Sequence, residues 1–472
     1  MLYGESEIIN TVGDSMSPSA GRFSQKYVNL DNAATTPAAQ VALNAIAEFQ
    51  AIYGSIHRGS GFKSLISSNI YDRTIEFIRC FIGAAAEDAI LLAHNTTSAV
   101  NRLAHSLNFT EGDIVLTSAS EHTSNDLPWR KYARVVHINM TDDGRLDLND
   151  LEALLRKFDR LEGHRVRLVA LTGASSVTGY LPPIKEAARL VHKHNAEVFV
   201  DCAQLVAHRP IKIRQDDPDE DWDYIAFSGH KVYSPFGVGV LIGRKHPFEH
   251  GTPDIPGGGT VDMVTPDEQV WSSLPNRVSP GTPNVSGLIA LAAALNELSQ
   301  IGFDTIQKHE TAIVNHTLKR FETIPEVKLY GQGAFSCSED RLPIFAFNVN
   351  RIPHGLLAAT LGHEHDIAVR HGHLCQFEFM RRQLGVTREE QNAVLEAVLE
   401  GDKSKMYGMV RASCGLCNTL SDIDRLGDAI ETIIQDGPQL EYVQNRSTGH
   451  FQPLKSTHDP LNGVPESLHF LF

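Results

Sequence analysis

AFSGHKVYSPFGVGVL, residues 226–241, combines two apolar flanks with a polar centre. The flanks are typical of buried strands, and Ser228, His230 and Lys231 lie between them. Burial of an ammonium group is strongly unfavourable unless the group is paired or neutralised. Lys231 at this junction therefore indicates a chemical role, unless its side chain simply reaches solvent from the end of a strand. Partners for such a role should lie at the ends of other strands.

Length and charge limit the classes to which the chain can belong. The 472 residues suffice for two or three domains, and a hydrophobic content of 42% is ordinary for a globular protein. With 42 Lys and Arg against 57 Asp and Glu, the net charge is −15. This balance argues against binding to nucleic acid or to anionic membrane surfaces. No apolar run approaches the roughly 20 residues of a membrane helix.

The N-terminus and the cysteines bear on cellular location. Residues 1–25 show no basic segment followed by an apolar one, so they do not resemble a secretory signal, and we expect a flexible arm. Cysteines are sparse for this length, at Cys80, Cys202, Cys337, Cys375, Cys414 and Cys417. Sparse cysteines favour a reducing compartment, so a cytoplasmic location is predicted.

Apolar segments alternate with helical periodicity between residues 85 and 245. The strand-like segments are AILLAH (89–94), DIVLTS (113–118), VRLVALTG (166–173), EVFVDCAQ (197–204), DYIAFSG (223–229) and GVGVLIG (237–243). Helix-like segments cover 98–107, 148–158 and 184–194, and a longer one covers 285–302. This alternation predicts a largely parallel sheet with helices on both faces. In such sheets, ligands bind beyond the carboxyl ends of the strands.

Polar side chains follow four of the predicted strands. They are Thr96 and Thr97 after the first, His122 after the second, Asp201 and Gln204 after the fourth, and Ser228, His230 and Lys231 after the fifth. If the strands are parallel, these ends converge on one rim of the sheet. The rim would then hold a carboxylate, a lysine, a histidine and hydroxyls beside the free N–H groups of a helix.

Pyridoxal phosphate is the cofactor that needs this set of groups. A lysine holds it as a Schiff base, and a carboxylate keeps its pyridine nitrogen protonated. Its phosphate suits a helix N-terminus bearing Ser or Thr hydroxyls. A lysine that forms an imine also avoids the full penalty of a buried charge. Taken singly, each residue has a structural alternative: Asp201 could cap a turn, Thr96 could begin a helix, and His122 could be a packed histidine.

From Tyr27 to Ile434 the sequence resembles the class V aminotransferase family, and most of all its cysteine desulfurase and selenocysteine lyase branch. The matching segments occur in family order: LDNAATTP (30–37), SIHRGSG (55–61), HNTTSAVN (94–101), SEHTSNDLPW (120–129), VDCAQ (200–204), FSGHKVYSPFGVGVL (227–241), GTPNV (281–285), VRHGHLC (369–375) and VRASCGLCNT (410–419). The resemblance implies a fold-type I α/β enzyme. Its large domain would hold a mostly parallel seven-stranded sheet, and a smaller α+β domain would follow.

The resemblance also implies roles for individual residues. Lys231 would be the Schiff-base lysine, Asp201 the partner of the pyridine nitrogen, and His122 the residue stacked on the ring. The other implied cofactor contacts are Gln204 on the phenolic oxygen, Thr96, Thr97, Ser228 and His230 on the phosphate, Thr282 on the phosphate of a neighbouring subunit, and Ser176. The implied substrate-binding residues are Arg411, Arg370, His57 and Arg58. Implied partners are an amino acid substrate such as L-cysteine, a second copy in a homodimer, and a sulfur-acceptor protein.

Cys375 distinguishes the branches of this family. In the desulfurases, a cysteine in an Arg-x-Gly-His-x-Cys context attacks the substrate sulfur, and this chain has Arg370, Gly372, His373 and Cys375 in that register. A thiolate is the working nucleophile, and cationic neighbours favour its formation. The alternative is a buried, inert cysteine.

The chain departs from the family pattern at two places. Ser176 stands where many members have an asparagine that positions the cofactor. Arg411 follows Cys375 by 36 positions, and the intervening segment includes TREEQNAVLEAVLEGDKSK. In it Thr387 and Glu390 form a capping box, positions 394, 395, 398 and 399 are apolar, and Gly401 ends the helical pattern. We therefore expect an inserted helix over 387–401, beside the loop of Cys375.

Two further patterns carry weaker signals. Cys414 and Cys417 form a C-x-x-C pair without the second pair that a zinc site requires, so packing is the favoured interpretation. His363, His365, His371 and His373 are dense, but no accompanying pattern specifies a metal, and no metal site is predicted.

These observations predict a flexible arm over 1–25, a large cofactor-binding domain over 26–302 whose N-terminal segment joins the smaller domain, and an extension over 438–472. The smaller domain is predicted over 303–437 and includes the Cys375 loop and the inserted helix. The predicted reaction is cysteine desulfuration through a persulfide on Cys375. Other class V reactions with an incidental Cys375, namely C–S β-lyase, selenocysteine lyase and aminotransferase chemistry, remain alternatives. A pyridoxal-phosphate-binding scaffold without turnover is a third hypothesis.

Overall fold

The computed structural model describes residues 3–13, 27–331, 341–455, 464 and 467–468. The chain divides into two compact units. The sheet unit comprises Thr35–Ser176 and Tyr180–Gln307, and the terminal unit comprises Met1–Ala34, Val177–Gly179 and Lys308–Phe472. Cys337 lies outside the described residues, as does most of the predicted N-terminal arm.

The sheet unit contains helices and strands in alternation. Its helices are α1 (Gln40–Gln50), α2 (Phe62–Ile82), α3 (Thr96–Ser106), α4 (Leu127–Arg130), α5 (Leu148–Asp159), α6 (Ile184–His192) and α7 (Val285–Ile301). Its strands are β2 (Ala89–Ala93), β3 (Asp113–Ser118), β4 (Arg134–Ile138), β5 (Arg165–Thr172), β6 (Glu197–Asp201), β7 (Tyr224–Ser228), β8 (Gly239–Gly243), β9 (Val261–Val264) and β10 (Gln269–Trp271).

The main sheet has seven strands in the order β2-β8-β7-β6-β5-β3-β4. Strands β7, β6, β5, β3 and β4 are parallel to one another, and β8 is antiparallel to both of its neighbours. The mostly parallel seven-stranded sheet is therefore confirmed. The strands are almost wholly buried because helices cover the sheet, as their continuous apolar sequences predict.

Strand β4 was not among the predicted strands. Its sequence, RVVHI, lies at the edge of the sheet, where Arg134 and His137 are exposed and only Ile138 is buried. An edge strand of five residues with two charged or polar positions lacks the continuous apolar run that marks its neighbours.

The terminal unit is built around a smaller antiparallel sheet. The strands of the terminal unit are β1 (Val28–Asn29), β11 (Val327–Leu329), β12 (Ile344–Val349), β13 (Ile367–Ala368), β14 (Arg370–Gly372), β15 (Met409–Ser413), β16 (Tyr442–Gln444) and β17 (Phe451–Pro453). Four of them, β11, β12, β14 and β15, form the antiparallel sheet, and β1-β13 and β16-β17 are separate pairs. Its helices are α9 (His354–His365), α10 (Phe377–Gln383), α11 (Arg388–Leu399) and α12 (Leu420–Asp436), and α8 (Phe303–Glu322) belongs mainly to this unit. The sheet order is β11-β12-β15-β14, so the predicted α+β character is confirmed.

One apolar core holds the terminal unit together. Phe321 of α8 packs against Phe347 of β12 with ring centroids 5.1 Å apart, and Ile423 and Ile430 of α12 are fully buried beside them. The first described residues also belong to this unit, because Ile8 donates its N–H to the carbonyl of Leu416 (3.0 Å) and Ile9 is buried.

The inserted helix forms where the sequence predicts it. Helix α11 begins after Thr387, whose hydroxyl accepts the N–H of Glu390 while the Glu390 carboxylate accepts the N–H of Thr387. None of its residues is buried, and Leu395 and Leu399 are exposed.

The predicted domain boundaries stay predictions.

Within the described part of the chain, no helix by itself has the length and apolar composition to span a membrane. The pair α7 and α8, bent by 79° at its junction, meets those criteria only when the two helices are taken together.

Candidate active site

The polar residues predicted at the strand ends do converge on one rim. Strands β2, β3, β5, β6 and β7 all run in the same direction, so the segments that follow them lie along the same edge of the sheet. These segments carry Thr96, His122, Ser176, Asp201 and Lys231.

The N-terminus of α3 forms a cradle of donors at this rim. Asn95 caps the helix with its side chain, and the N–H of Thr96 donates to the Ser228 hydroxyl at 2.6 Å. The hydroxyls of Thr96 and Ser228 are 2.7 Å apart. A Cβ at Gly239 would lie 2.6 Å from the backbone of Asn95, so only glycine lets β8 approach the helix this closely. Two hydroxyls at a helix N-terminus suit an anionic ligand.

His122 is oriented by its neighbour. The N–H of Ser124 donates to Nδ1 of His122 at 3.1 Å, and the Ser124 hydroxyl lies 2.7 Å from that of Thr97 on α3. The acceptor role of Nδ1 places any imidazole proton on Nε2 of the neutral ring. The histidine and the helix cradle are therefore joined by Ser124.

Asp201 is a buried carboxyl at the end of β6. The N–H of Ala203 donates to its Oδ1 at 2.9 Å. Burial raises the pKa of Asp201 above its ordinary value, although the Ala203 N–H and the charge of Lys231 act in the opposite direction. A cation placed next to this carboxylate would offset the effect of burial.

Glu121 is a second buried carboxyl, and it was not among the site residues predicted from the sequence. It accepts hydrogen bonds from the Ser118 hydroxyl (2.6 Å) and from the amide of Asn125 (2.7 Å). Burial raises its pKa to about 8, and the charge of Asp201 adds to this effect. The signal available in the sequence was its place directly before His122, at the end of a predicted strand.

Lys231 lies in a tight turn after β7. The turn, Gly229–Lys231, is held by the carbonyl of His230, which accepts the N–H of Thr36 (2.9 Å) and the hydroxyl of Thr35 (3.0 Å). Burial, with a smaller effect of Lys231, lowers the pKa of His230 to about 4, so this imidazole is neutral at pH 7. The lysine is half-buried, and its charge acts on Asp201.

The remaining predicted cofactor and substrate residues of the sheet unit fall into two groups. Gln204 and Ser176 are buried beyond the ends of β6 and β5. Thr282, His57 and Arg58 lie in exposed loops, and His57 is bound by the Asp72 carboxylate at 2.8 Å. Their predicted roles stay predictions.

In the terminal unit, Asp31 bridges two arginines. Its carboxylate binds Arg411 at 2.9 Å and Arg370 at 3.4 Å, and the two arginines face each other across β14 and β15. Arg411 is buried, and burial lowers its pKa, whereas Asp31 and, more weakly, Cys375 raise it. Cys375 is therefore within electrostatic reach of Arg411. The sequence had assigned no role to Asp31, although it lies in a family-like segment.

Cys375 is presented at the tip of a turn. The N–H of Gln376 donates to the carbonyl of His373 at 2.9 Å, and the two residues between them, Leu374 and Cys375, have φ of +50° and +57°. Such turns favour glycine or asparagine at both central positions, so these two residues are strained. Leu374 is buried and Cys375 is exposed, which places the thiol in solvent.

Two weaker patterns are also located. Cys414 and Cys417 are buried, and burial raises the pKa of Cys414 well above its ordinary value. Among the described residues, no group of three or more His, Cys, Asp or Glu side chains is placed to hold a metal ion.

The state of His373 should make stability depend on pH. His373 packs against Phe377 and Tyr407, with ring centroids 4.6 and 4.7 Å away, and burial lowers its pKa from 6.5 to about 4. The unfolded chain binds more protons between these values, so the stability from this group is complete above pH 6.5 and is lost as the pH falls toward 4. The loss is at most about 3 kcal/mol.

As the pH is lowered from 6.5 to 4, we expect the urea concentration at the midpoint of unfolding to fall more steeply for the wild-type protein than for His373→Phe. The phenylalanine keeps the ring contacts but does not titrate. Parallel curves for the two proteins would contradict this assignment.

The chain is similar to known proteins over most of its length. The family described as Aminotransferase class-V matches residues 28–426. A probable cysteine desulfurase from Halalkalibacterium halodurans is 32% identical over 414 residues, covering 86% of this chain and 92% of that protein. A cysteine desulfurase from Shigella flexneri is 30% identical over 414 residues, with the same coverage of 86% and 92%.

Solved structures agree with the sequence matches. The apo structure of a cysteine desulfurase from Thermococcus onnurineus is similar with a TM-score of 0.75 and 28% identity, over 87% of this chain and 95% of that one. A cysteine desulfurase from Escherichia coli, solved with an S-sulfonic acid, gives a TM-score of 0.72 and 27% identity over the same shares, 87% and 95%.

Proposed function

Because this chain belongs to the class V aminotransferase family, we propose that it is a cysteine desulfurase that uses pyridoxal phosphate to convert L-cysteine to L-alanine. The family resemblance inferred from the sequence is thereby confirmed. The observation that carries the proposal is Cys375, exposed on a strained turn within electrostatic reach of Arg411. Relatives of 30–32% identity named as cysteine desulfurases support the reaction, and they do not favour the alternatives.

The residues of the rim fit pyridoxal phosphate. The cradle of Thr96 and Ser228 at the start of α3 would hold the phosphate, and the close approach at Gly239 keeps the cradle compact. Asp201 would bind the pyridine nitrogen, whose positive charge would offset the burial of the carboxylate. Lys231 would hold the aldehyde carbon, and His122 would lie on the ring.

The bound cofactor supplies an electron-withdrawing ring that accepts electron density from the α-carbon of the substrate. Lys231 would take the α-proton, which is a task for an amine positioned on a rigid turn. Asp201 would keep the ring nitrogen protonated throughout. Arg411 would bind the substrate carboxylate, with Asp31 fixing the orientation of the guanidinium group.

Cys375 would carry out the sulfur transfer. Its thiolate attacks the sulfur of the bound cysteine, the new S–S bond forms, and the bond between sulfur and the β-carbon breaks. The β-carbon retains the electron pair of that bond and takes a proton, and Lys231 would return a proton to the α-carbon, which yields alanine. The persulfide on Cys375 then passes its outer sulfur to an acceptor protein or a thiol.

A second copy of the chain is also part of the proposal. Several large apolar side chains of the sheet unit are exposed, among them Phe62 on α2 and Met263, Val264 and Val270 on the β9–β10 hairpin. Clustered exposed apolar side chains mark interaction surfaces, which supports a homodimer in which Thr282 serves the neighbouring subunit. Light scattering should give twice the 52.0 kDa mass of the chain, and a monomer at assay concentration would refute the dimer.

A product assay tests the reaction. We expect purified protein loaded with pyridoxal phosphate, given L-cysteine and a thiol reductant, to release alanine and sulfide in equal amounts. Pyruvate in place of alanine would indicate β-elimination and refute desulfuration. A cofactor-loaded protein without turnover of cysteine, selenocysteine or other amino acids would indicate a scaffold.

A further inference from the structure

The chain continues beyond the family match with a hairpin that packs against β14, the strand before Cys375. The match ends at residue 426, and the C-terminal hairpin, β16 and β17 (Tyr442–Pro453), follows it. The polar, Pro- and Gly-containing sequence of residues 438–472 predicts a surface extension or an interaction arm. The C-terminal hairpin is fastened at three places, all within the terminal unit.

The first attachment is to α9. Glu364 on this helix is only 5% exposed, and its carboxylate accepts the N–H groups of Gln439 (2.9 Å) and Leu440 (3.1 Å) and the hydroxyl of Tyr442 (3.0 Å). Three donors to one buried carboxylate satisfy a group that would otherwise be strongly destabilising. The start of the C-terminal hairpin is therefore fixed to α9.

The second attachment is to residues 402–406, which join α11 to β15. The N–H of Lys403 donates to the carbonyl of Arg446 at 2.7 Å, and the Arg446 guanidinium binds the Asp402 carboxylate at 2.6 Å. The Gln444 amide donates to the carbonyl of Ser404 at 3.0 Å. The C-terminal hairpin thus also holds the end of the inserted segment.

The third attachment reaches the strand that leads to Cys375. The ring of His450 meets that of His371 on β14 edge to face, with centroids 5.0 Å apart. A Cβ at Gly355 of α9 would lie 3.2 Å from Phe451 and 3.5 Å from His371, so glycine lets α9, β14 and β17 meet there.

The tautomers at this point follow from the hydrogen bonds. Nε2 of His354 lies 3.2 Å from the carbonyl of Met406, which can only accept, so Nε2 carries the proton. Burial lowers the pKa of His354, so the ring is neutral and its Nδ1 is an acceptor. His371 therefore donates from its own Nδ1, 3.3 Å away. His371 is held by His354 on one side and by His450 on the other.

His371 lies four residues before Cys375, and the strained turn begins directly after β14. Non-glycine residues in the left-handed region persist only where their surroundings over-determine them, at a cost of about 1–3 kcal/mol each. The anchors of this turn are β14 on one side and α10 on the other. The C-terminal hairpin fixes the first of these anchors.

We propose that the C-terminal hairpin positions the Cys375 turn through the contact of His450 with His371. His450 is then a positioning residue, not a catalytic one. Its effect on turnover rests on the proposed function, whereas its effect on the geometry of the turn does not.

Hydrogen exchange of the full-length, cofactor-loaded protein tests the proposal. We expect His450→Ala to raise the exchange rate of the amides in 370–376 about tenfold, because the Gln376–His373 hydrogen bond of the turn opens more often. Alanine production should show a kcat about tenfold lower with an unchanged KM for cysteine, since the nucleophile is misplaced while substrate binding is not.

Two variants serve as matched controls. His450→Phe keeps the edge-to-face contact and should restore both the exchange rate and kcat to within about twofold. Val443→Ala removes an exposed side chain from the same hairpin and should change neither. Unchanged exchange in 370–376 for folded His450→Ala would overturn the proposal. If wild-type protein forms pyruvate in place of alanine, the proposed function fails, but the exchange result stands independently.

Discussion

Replacement of Cys375 by alanine should abolish desulfuration. We expect the rate of alanine formation from cysteine to fall about a thousandfold or more, because Cys375 is exposed whereas the other described cysteines of the terminal unit, Cys414 and Cys417, are buried. The absorbance of bound cofactor should not change, since Cys375 is not among the groups proposed to hold it. Product analysis by mass spectrometry would measure alanine and pyruvate separately.

Cys80→Ala is the matched control for this experiment. Cys80 is the other exposed cysteine among the described residues, and it lies on α2, in the sheet unit. Its removal should leave the rate of alanine formation unchanged. Full alanine formation by Cys375→Ala would refute the role of Cys375 as sulfur acceptor, whereas undiminished pyruvate formation by this variant would assign the chain to β-elimination.

Replacement of Lys231 should remove both turnover and covalent attachment of the cofactor. We expect Lys231→Ala to lose the yellow absorbance near ~420 nm of the lysine-bound cofactor. Turnover should fall about 10⁴-fold, because the same amine removes the α-proton. Absorbance spectroscopy on protein reconstituted with pyridoxal phosphate gives the first readout, and the product assay gives the second.

Lys231→Arg separates charge from covalent chemistry. The guanidinium group keeps the positive charge that acts on Asp201 but does not form an imine under these conditions, so this variant should be as inactive as Lys231→Ala. Lys212→Ala, which removes a lysine paired with Asp216 on the surface, should behave as wild type. Retention of the yellow absorbance by Lys231→Ala would mean that another lysine holds the cofactor.

Prediction from the sequence succeeded where the signal is local. Continuous apolar segments predicted β2, β3, β5, β6, β7 and β8, since a strand covered on both faces shows its burial in its own residues. The capping box at Thr387 predicted the inserted helix for the same reason. Strand direction then placed Thr96, Asp201 and Lys231 along one rim.

Partners far apart in the chain were beyond the reach of sequence patterns. Asp31 and Arg411 are joined by an ion pair across 380 residues, and neither local sequence indicates the other. Glu121 bonds with near neighbours in the chain, but its burial and the effect of the Asp201 charge on its pKa follow only from the fold.

The alternation of strands and helices, the family-like segments and the chemical types of residue at the strand ends are all predictable from short stretches of the chain. These properties depend on neighbours within a few positions. The presentation of Cys375 depends instead on the folded chain. The pair of Arg411 with Asp31 and the packing of His450 on His371 are contacts between distant segments, and the second is the contact that we propose to support the left-handed turn at Leu374 and Cys375. Such contacts are specified by packing as a whole, and no short stretch of the chain encodes them.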